Sequence, residues 1–208
     1  MALNMKPLTP YLIILLTGIF LNGCSTNRLL SSWNDKTYEQ ASIAPILVLG
    51  ITKNNETKRR IYEDTFVDSL NKVHTKAIAS YELNKHSIAP TKKALRAIIK
   101  RTKAKTILIT HLVSDTEKSF FVPSSVVIGT NSYDKLYSYF PFVHSSVATS
   151  GSFVSTSKVI LETSLYDVKT EKLLWTARTE SIDPVMTRKY YQQLIDLFLQ
   201  DLSSKNML

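Results

Sequence analysis

The strongest constraint on the fold is an alternation of short apolar runs with amphipathic segments in the first half of the chain. The apolar runs 45–52, 76–83 and 105–113 have the length and aliphatic content of buried strands. The segments between them carry apolar residues at helical spacing: Tyr62, Phe66, Leu70 and Val73 in the first, Leu95, Ile98 and Ile99 in the second. Asn54 or Asn55 could cap the first helix and Thr91 the second. Strands and helices that alternate over short connections predict parallel strands with right-handed crossovers.

The last quarter of the chain follows a different pattern. Residues 157–180 predict two strands joined by a turn near Asp167 to Glu171. A final helix is predicted to start at Pro184, with Asp183 as its cap. The predicted fold class is α/β: a single domain with a mixed sheet, in the order β-α-β-α-β, a long aromatic hairpin or loop, then β-β-α, with the helices packed on the sheet.

An aromatic segment, residues 119–156, interrupts these patterns as an insertion. Its only charges are Asp134 and Lys135. One interpretation is two extended strands, 120–128 and 142–156, joined by a polar turn. The other is a surface that contacts a protein partner, because tyrosine and phenylalanine are enriched in interface cores. The residues predicted to bind such a partner are Phe120, Phe121, Tyr133, Tyr137, Tyr139, Phe140 and Phe142.

A basic cluster lies on the second predicted helix, in a chain whose formal net charge is +9. Cations that point away from the apolar stripe predict binding to anionic surfaces such as lipid head groups or lipopolysaccharide phosphates. An ordinary solvated helix face is the alternative interpretation. The residues predicted to bind an anionic surface are Lys92, Lys93, Arg96, Lys100, Arg101 and Lys103.

Sequence motifs for catalysis are weak. The chain has 5 glycines, too few and too dispersed for a phosphate-cradling loop. Its 4 histidines show no zinc-binding spacing, and no serine sits in a nucleophile-elbow motif. We therefore expect no enzyme, no cofactor and no metal, with a hidden active site as the minor alternative.

The single cysteine follows an apolar run at residues 11–21, which has the length of a signal-peptide core. Leu21-Asn22-Gly23-Cys24 resembles the signal of bacterial lipoproteins. That resemblance implies removal of residues 1–23 and acylation of Cys24, with residues 24–44 as lipidated cysteine and tether and residues 45–208 as a periplasmic domain. Ser25 is not the aspartate of inner-membrane retention, so the resemblance implies the periplasmic face of the outer membrane.

The mature chain is similar in layout to small envelope lipoproteins whose domain resembles the N-terminal domain of TolB and curli-secretion-type lipoproteins. The residues concerned are "APILVLGIT" with the Arg-containing segment after it, "ASYEL", and "LYDVKTEKLLWTARTE". Glu171 stands where such lipoproteins often have glycine in the hairpin turn. The resemblance implies a fold and an envelope location, and no ligand.

Two functions from different classes remain open at this point. The first is a non-enzymatic accessory or assembly component of a cell-envelope complex, held by acyl chains on Cys24 and contacting an envelope protein through the aromatic segment. The second is a binding module for lipid, lipopolysaccharide or peptidoglycan that uses the basic helix. Nucleic acid is not expected as a partner, because an exported protein does not meet it routinely.

Overall fold

The computed structural model describes residues 27–38, 42–52, 55–83, 91–117, 135–148 and 157–208. The predicted signal peptide and Cys24 lie outside the described residues. The strands are β1 (Asn27–Asn34), β2 (Ile46–Ile51), β3 (Ala77–Ala79), β4 (Thr106–Glu117), β5 (Ser157–Asp167) and β6 (Leu173–Ile182). The helices are α1 (Glu56–Lys72), α2 (Lys92–Thr102), α3 (Leu136–Ala148) and α4 (Arg188–Ser204), with a 3-10 turn at Ser80–Glu82.

All six strands form one mixed sheet in the order β1-β6-β5-β4-β2-β3. β2 pairs in parallel with both β3 and β4, as the strand-helix alternation predicts. β5 pairs antiparallel with β4 and with β6, and β1 pairs antiparallel with β6. The predicted fold class, a single mixed α/β domain with helices packed on the sheet, is confirmed.

The two ends of the sheet are named here by the strands that begin there: β1 begins at the proximal end and β4 begins at the distal end. At the proximal end, Asn27 lies opposite Ser181, which in turn lies opposite Val159. At the distal end, Thr106 lies opposite Asp167. Residue Asp115 of β4 is level with Val159. The two ends are therefore about 30 Å apart, since a strand rises about 3.3 Å per residue.

Each face of the sheet carries its own core. α1 and α4 cover the first face, where Phe66, Trp175 and Phe198 pack among aliphatic strand residues. α2 and α3 cover the second face, where Leu95 and Tyr139 belong to a separate cluster. Because helices cover both faces of the sheet, a central strand is buried on both sides, and all six residues of β2 are buried. Within the described ranges, none of the helices is both long and apolar enough to cross a membrane.

Local capping explains where α1 and α2 begin. The Asn55 side chain accepts a 3.0 Å hydrogen bond from the Lys58 amide, and Thr91 accepts one of 3.2 Å from the Ala94 amide. The predicted start of α4 is wrong. Thr187 caps that helix, while Asp183 accepts a hydrogen bond from the Ser157 amide and so holds β5 instead.

The aromatic segment also differs from the prediction, because residues 136–148 form α3 and no extended strand begins at 142. Leu136, Tyr139, Phe140 and Val143 are buried at helical spacing against the second face of the sheet. Burial of that stripe outweighs the extended preference of the aromatic residues and the presence of Pro141 inside the helix. The predicted strand over 120–128 lies outside the described residues.

The tether prediction is wrong for residues 27–34, which form β1. This strand continues the sheet beyond β6, with a register shift between Leu29 and Ser31. Its polar composition conceals it, because a sheet-edge strand with one solvated side needs few apolar residues. The folded domain therefore includes residues 27–34 as well as the predicted residues from 45 onwards.

Candidate functional site

The basic face of α2 is a cluster of exposed cations on one helix. All six cations predicted to bind an anionic surface are exposed, and so is Lys105. Leu95, Ile98 and Ile99 point the other way, into the core. Among the described residues, one contact with a carboxylate is formed by this cluster, between Arg96 and Glu171 at 3.5 Å.

Arg96 is the most constrained member of this basic face. Its guanidinium lies 4.4 Å from the centre of the Tyr137 ring and so links α2 to α3. Glu171 belongs to the distal turn between β5 and β6. The Lys105 amide bonds to the Pro45 carbonyl, also at the distal end. The basic face is therefore presented towards the distal end of the sheet.

The predicted aromatic contacts are core residues wherever the structure describes them. Tyr137, Tyr139 and Phe140 are buried, and Phe142 packs partly buried against the same cluster. A partner surface made from these side chains would require α3 to leave the sheet. The other three members of the set, Phe120, Phe121 and Tyr133, lie outside the described residues, as does the lipidation residue Cys24.

A buried polar network lies between α3 and the sheet. The Tyr139 hydroxyl donates a 2.9 Å hydrogen bond to Glu162 Oε1 and lies 3.3 Å from His111 Nδ1 and 3.4 Å from Ser164. Arg178 Nε donates to the other Glu162 oxygen at 2.6 Å. The Glu162 carboxylate is thus held on both sides, which satisfies a charge that the sheet face would otherwise bury.

Burial determines the protonation states in this network. It lowers the pKa of His111 to about 4, because a charged imidazole would lose its hydration there. Burial, together with the Glu162 charge, raises the pKa of Tyr139 well above its ordinary value. At neutral pH the network therefore contains a neutral imidazole and a protonated phenol that donates to Glu162, an arrangement that holds α3 in place.

A second buried carboxylate, Glu63 on α1, accepts hydrogen bonds from the Gly50 amide at 3.0 Å, the Ser80 hydroxyl at 2.8 Å and the Tyr81 amide at 3.0 Å. Arg59 Nε lies 3.3 Å from it. Burial raises the pKa of Glu63 against the opposing effect of these donors. The carboxylate joins the end of β2 to the 3-10 turn and has a structural role.

An open cleft of about 750 Å³ lies beside α3, over β6 and β1. Trp33 lines it with half of its surface exposed, together with Arg178 and Lys172. Asp35 also lines it, and hydrogen bonds from Thr37, with a smaller effect of Lys172, hold the pKa of Asp35 below its usual value. Sequence reasoning missed this cleft because β1 was not predicted as a strand.

Among the described residues, no group of three or more histidine, cysteine, aspartate or glutamate side chains could hold a metal ion.

Glu162, like the cleft, was not predicted from the sequence. Its one sequence signal is a charged residue inside the apolar strand pattern of residues 157–167.

Comparisons with known proteins identify structures with a similar fold but identify no family for this chain. No protein-family model and no curated protein matches the chain. The fold is similar to a PelC dodecamer of Paraburkholderia phytofirmans (TM-score 0.41, 13% identity, covering 83% of this chain and 93% of that one). It is also similar to the dodecamer of a PelC variant from that organism (TM-score 0.42, 11% identity, covering 83% and 96%).

A third similar structure is the lipoprotein GNA1162 of Neisseria meningitidis (TM-score 0.38, 11% identity, covering 76% of this chain and 97% of that one). Identities this low and TM-scores below 0.5 leave the function to be inferred from this chain's own residues.

Proposed function

We propose that this protein is a non-enzymatic, lipid-anchored envelope module, held on the periplasmic face of the outer membrane by acyl chains on Cys24, that binds a carboxylate-bearing glycan, peptidoglycan, through α2. The observation that carries the proposal is the exposed basic face of α2, in which one of the cations is paired with a described carboxylate. Cations crowded on one face attract polyanions at long range. The likeness to TolB and curli-secretion-type lipoproteins remains a prediction.

The position of α2 supports a partner other than the anchoring leaflet. The chain enters the sheet at the proximal end, at Asn27, three residues after Cys24. Arg96 and Lys105 contact the distal end, about 30 Å away by strand length. A Debye length is about 8 Å at physiological ionic strength, so head groups at the proximal end would be screened from the basic face.

The test is co-sedimentation of the full acylated chain, in mild detergent, with purified peptidoglycan sacculi over a salt series. The variant Lys100→Gln/Arg101→Gln removes two cations of α2. Its control, Lys58→Gln/Lys72→Gln, removes two exposed lysines of α1 on the opposite side of the sheet. We expect binding that weakens as salt rises, that is reduced in the α2 variant and that is retained in the control.

Flotation with vesicles of phosphatidylethanolamine and phosphatidylglycerol distinguishes the sources of negative charge. It uses a chain that begins at Ser25, so that neither acyl chains nor the apolar run 11–21 contribute. Binding to these vesicles and not to sacculi would replace the glycan with lipid phosphate. Absence of binding to either, or equal binding by the α2 variant and its control, would overturn the proposal.

A second candidate function, an accessory component of an envelope complex, is favoured by β1. Within the described residues this strand pairs on one side only, and its Leu30 and Trp33 are 42% and 50% exposed. An edge strand with apolar side chains can accept an extended segment of a partner protein.

Photo-crosslinking in the native host from Leu30 and Trp33, with buried Tyr137 as a negative control position, tests this second function. A discrete protein adduct that disappears in Cys24→Ala supports it. Absence of protein crosslinks from both exposed positions would reject this second function.

A further inference from the structure

The start of β1 lies beside the connection between β6 and α4. Asn27 is opposite Ser181, the residue before the last of β6, and the connection runs from Asp183 to Thr187. Only Ser25 and Thr26 stand between Cys24 and Asn27. Three residues of extended chain span about 10 Å, so an acylated Cys24 holds the proximal end within that distance of its point of attachment.

The end of β6 and this connection expose apolar side chains. Val185 is 71% exposed, the highest value among the large hydrophobic residues of the described chain, and Ile182 is 37% exposed. Single exposed apolar residues are ordinary. Here two of them lie three positions apart. They lie at the end of the sheet that an acyl anchor would hold nearest the bilayer, and contact with lipid would explain why both are exposed there.

Basic residues lie near these two side chains along the chain and across the sheet, where Lys158 is opposite Ile182. Lys189 is exposed, and Arg188 is exposed while contacting Asp68 at 3.1 Å. On the neighbouring strands, Lys158 and Arg28 both pair with Glu180. Apolar side chains with cations around them suit the interface of an anionic bilayer, where each group meets the environment it prefers.

We propose that the end of β6 and the connection from β6 to α4, with Ile182 and Val185 at their surface, contact the lipid head groups of the leaflet that holds Cys24. This inference rests on the lipid anchoring in the proposed function. It adds a defined orientation: the proximal end faces the bilayer, and the basic face of α2 points away from it.

The test uses the full acylated chain in vesicles of phosphatidylethanolamine and phosphatidylglycerol that contain a lipid spin-labelled near its head group. Because acylation occupies Cys24, a second cysteine can carry an environment-sensitive fluorophore. Val185→Cys places the fluorophore on the connection, and Lys169→Cys places it on the exposed distal turn as the matched control. We expect loss of most emission from position 185 and little loss from position 169.

Flotation of the same vesicles separates the two proposals. If the acylated chain does not float while spin-labelled lipid is present, the anchoring itself fails. If the chain floats, and positions 185 and 169 are quenched equally, the orientation is wrong while the anchoring stands. A further variant, Ile182→Ser, should reduce quenching at position 185 without reducing flotation, because it weakens the contact and leaves the acyl chains intact. Unchanged quenching in this variant would also contradict the contact.

Discussion

The indole Nε1 of Trp175 donates a 2.7 Å hydrogen bond to Oδ2 of Asp201, which joins β6 to α4 across the first face of the sheet. Asp201 also accepts hydrogen bonds from Ser32 of β1 and from Lys205. Burial opposes its charge, but these three donors outweigh burial and hold the pKa of Asp201 below its usual value. One carboxylate thus fixes β1, the strand through which an acyl anchor would act on the domain.

Asp201→Ala should lower the free energy of unfolding by about 2 kcal/mol, because the Trp175 N–H would lose its partner in a buried site. It should also increase amide exchange along β1 more than along β4. Urea unfolding and hydrogen exchange measure the two effects. Asp196→Ala, at an exposed position of the same helix, is the control and should change neither. Equal exchange in β1 of both variants would show that Asp201 does not hold this strand.

Tyr139→Phe should destabilise the fold by about 1–3 kcal/mol, because Glu162 loses its 2.9 Å hydrogen bond in a site from which water is excluded. Urea unfolding of the full chain measures the change. Tyr81→Phe is the comparison, since that hydroxyl bonds to Asp64 at a half-buried position. A larger effect at Tyr81 than at Tyr139 would contradict the structural role of the buried network.

Glu63→Gln should cost about 2 kcal/mol of stability, since buried Arg59 then loses one of its two carboxylate partners, Glu63 at 3.3 Å, and keeps the other, Glu56 at 2.9 Å. It also turns an amide N–H towards a group that is itself a donor, because the Gly50 and Tyr81 amides donate to different oxygens of Glu63 and glutamine keeps one of these acceptors. Thermal or urea unfolding would record the loss, with exposed Glu82→Gln as the control. A Glu63→Gln chain as stable as the unsubstituted one would show that the carboxylate is not needed to join β2 to the 3-10 turn.

Acid should destabilise the domain through His111. Its folded pKa of about 4 lies below the ordinary value of 6.5, so the unfolded chain binds a proton more readily. The free energy of unfolding that comes from keeping His111 neutral is fully present above pH 6.5. It falls by up to about 3 kcal/mol as the pH decreases towards 4. Unfolding midpoints across this range should fall less in His111→Gln than in the unsubstituted chain. His74→Gln, at an exposed histidine, should retain the full fall, and matching slopes in the two variants would refute the assignment.

Several elements could be predicted from local sequence. Residues 46–51 are continuously apolar, and the stripe of α2 at Leu95, Ile98 and Ile99 repeats with helical period. Their conformations follow from neighbours within one or two turns of chain. The exposure of the α2 cations follows from that same stripe, which leaves the other side of the helix to solvent. These features could be predicted without knowing the order of the strands in the sheet.

Other elements could not be predicted, because distant residues decide them. α3 forms where an aromatic segment with an internal proline meets the second face of the sheet, and that burial turns residues predicted to contact a partner into core residues. Asp183 satisfies the capping pattern of a helix, yet it bonds to Ser157, 26 residues earlier in the chain. A local signal was present in each case, and a tertiary contact outweighed it.

The sequence by itself determined the βαβ half of the sheet, the β5–β6 hairpin, the basic face of α2 and the position of the one cysteine, because periodicity, capping and composition act over short distances along the chain. Only the tertiary structure decided the strand β1, the helix α3 and the network around Glu162. The pairing of Arg28 with Glu180 joins residues 152 positions apart, and no short-range pattern encodes such a contact. The separation of the proximal from the distal end likewise exists only once the strands are paired.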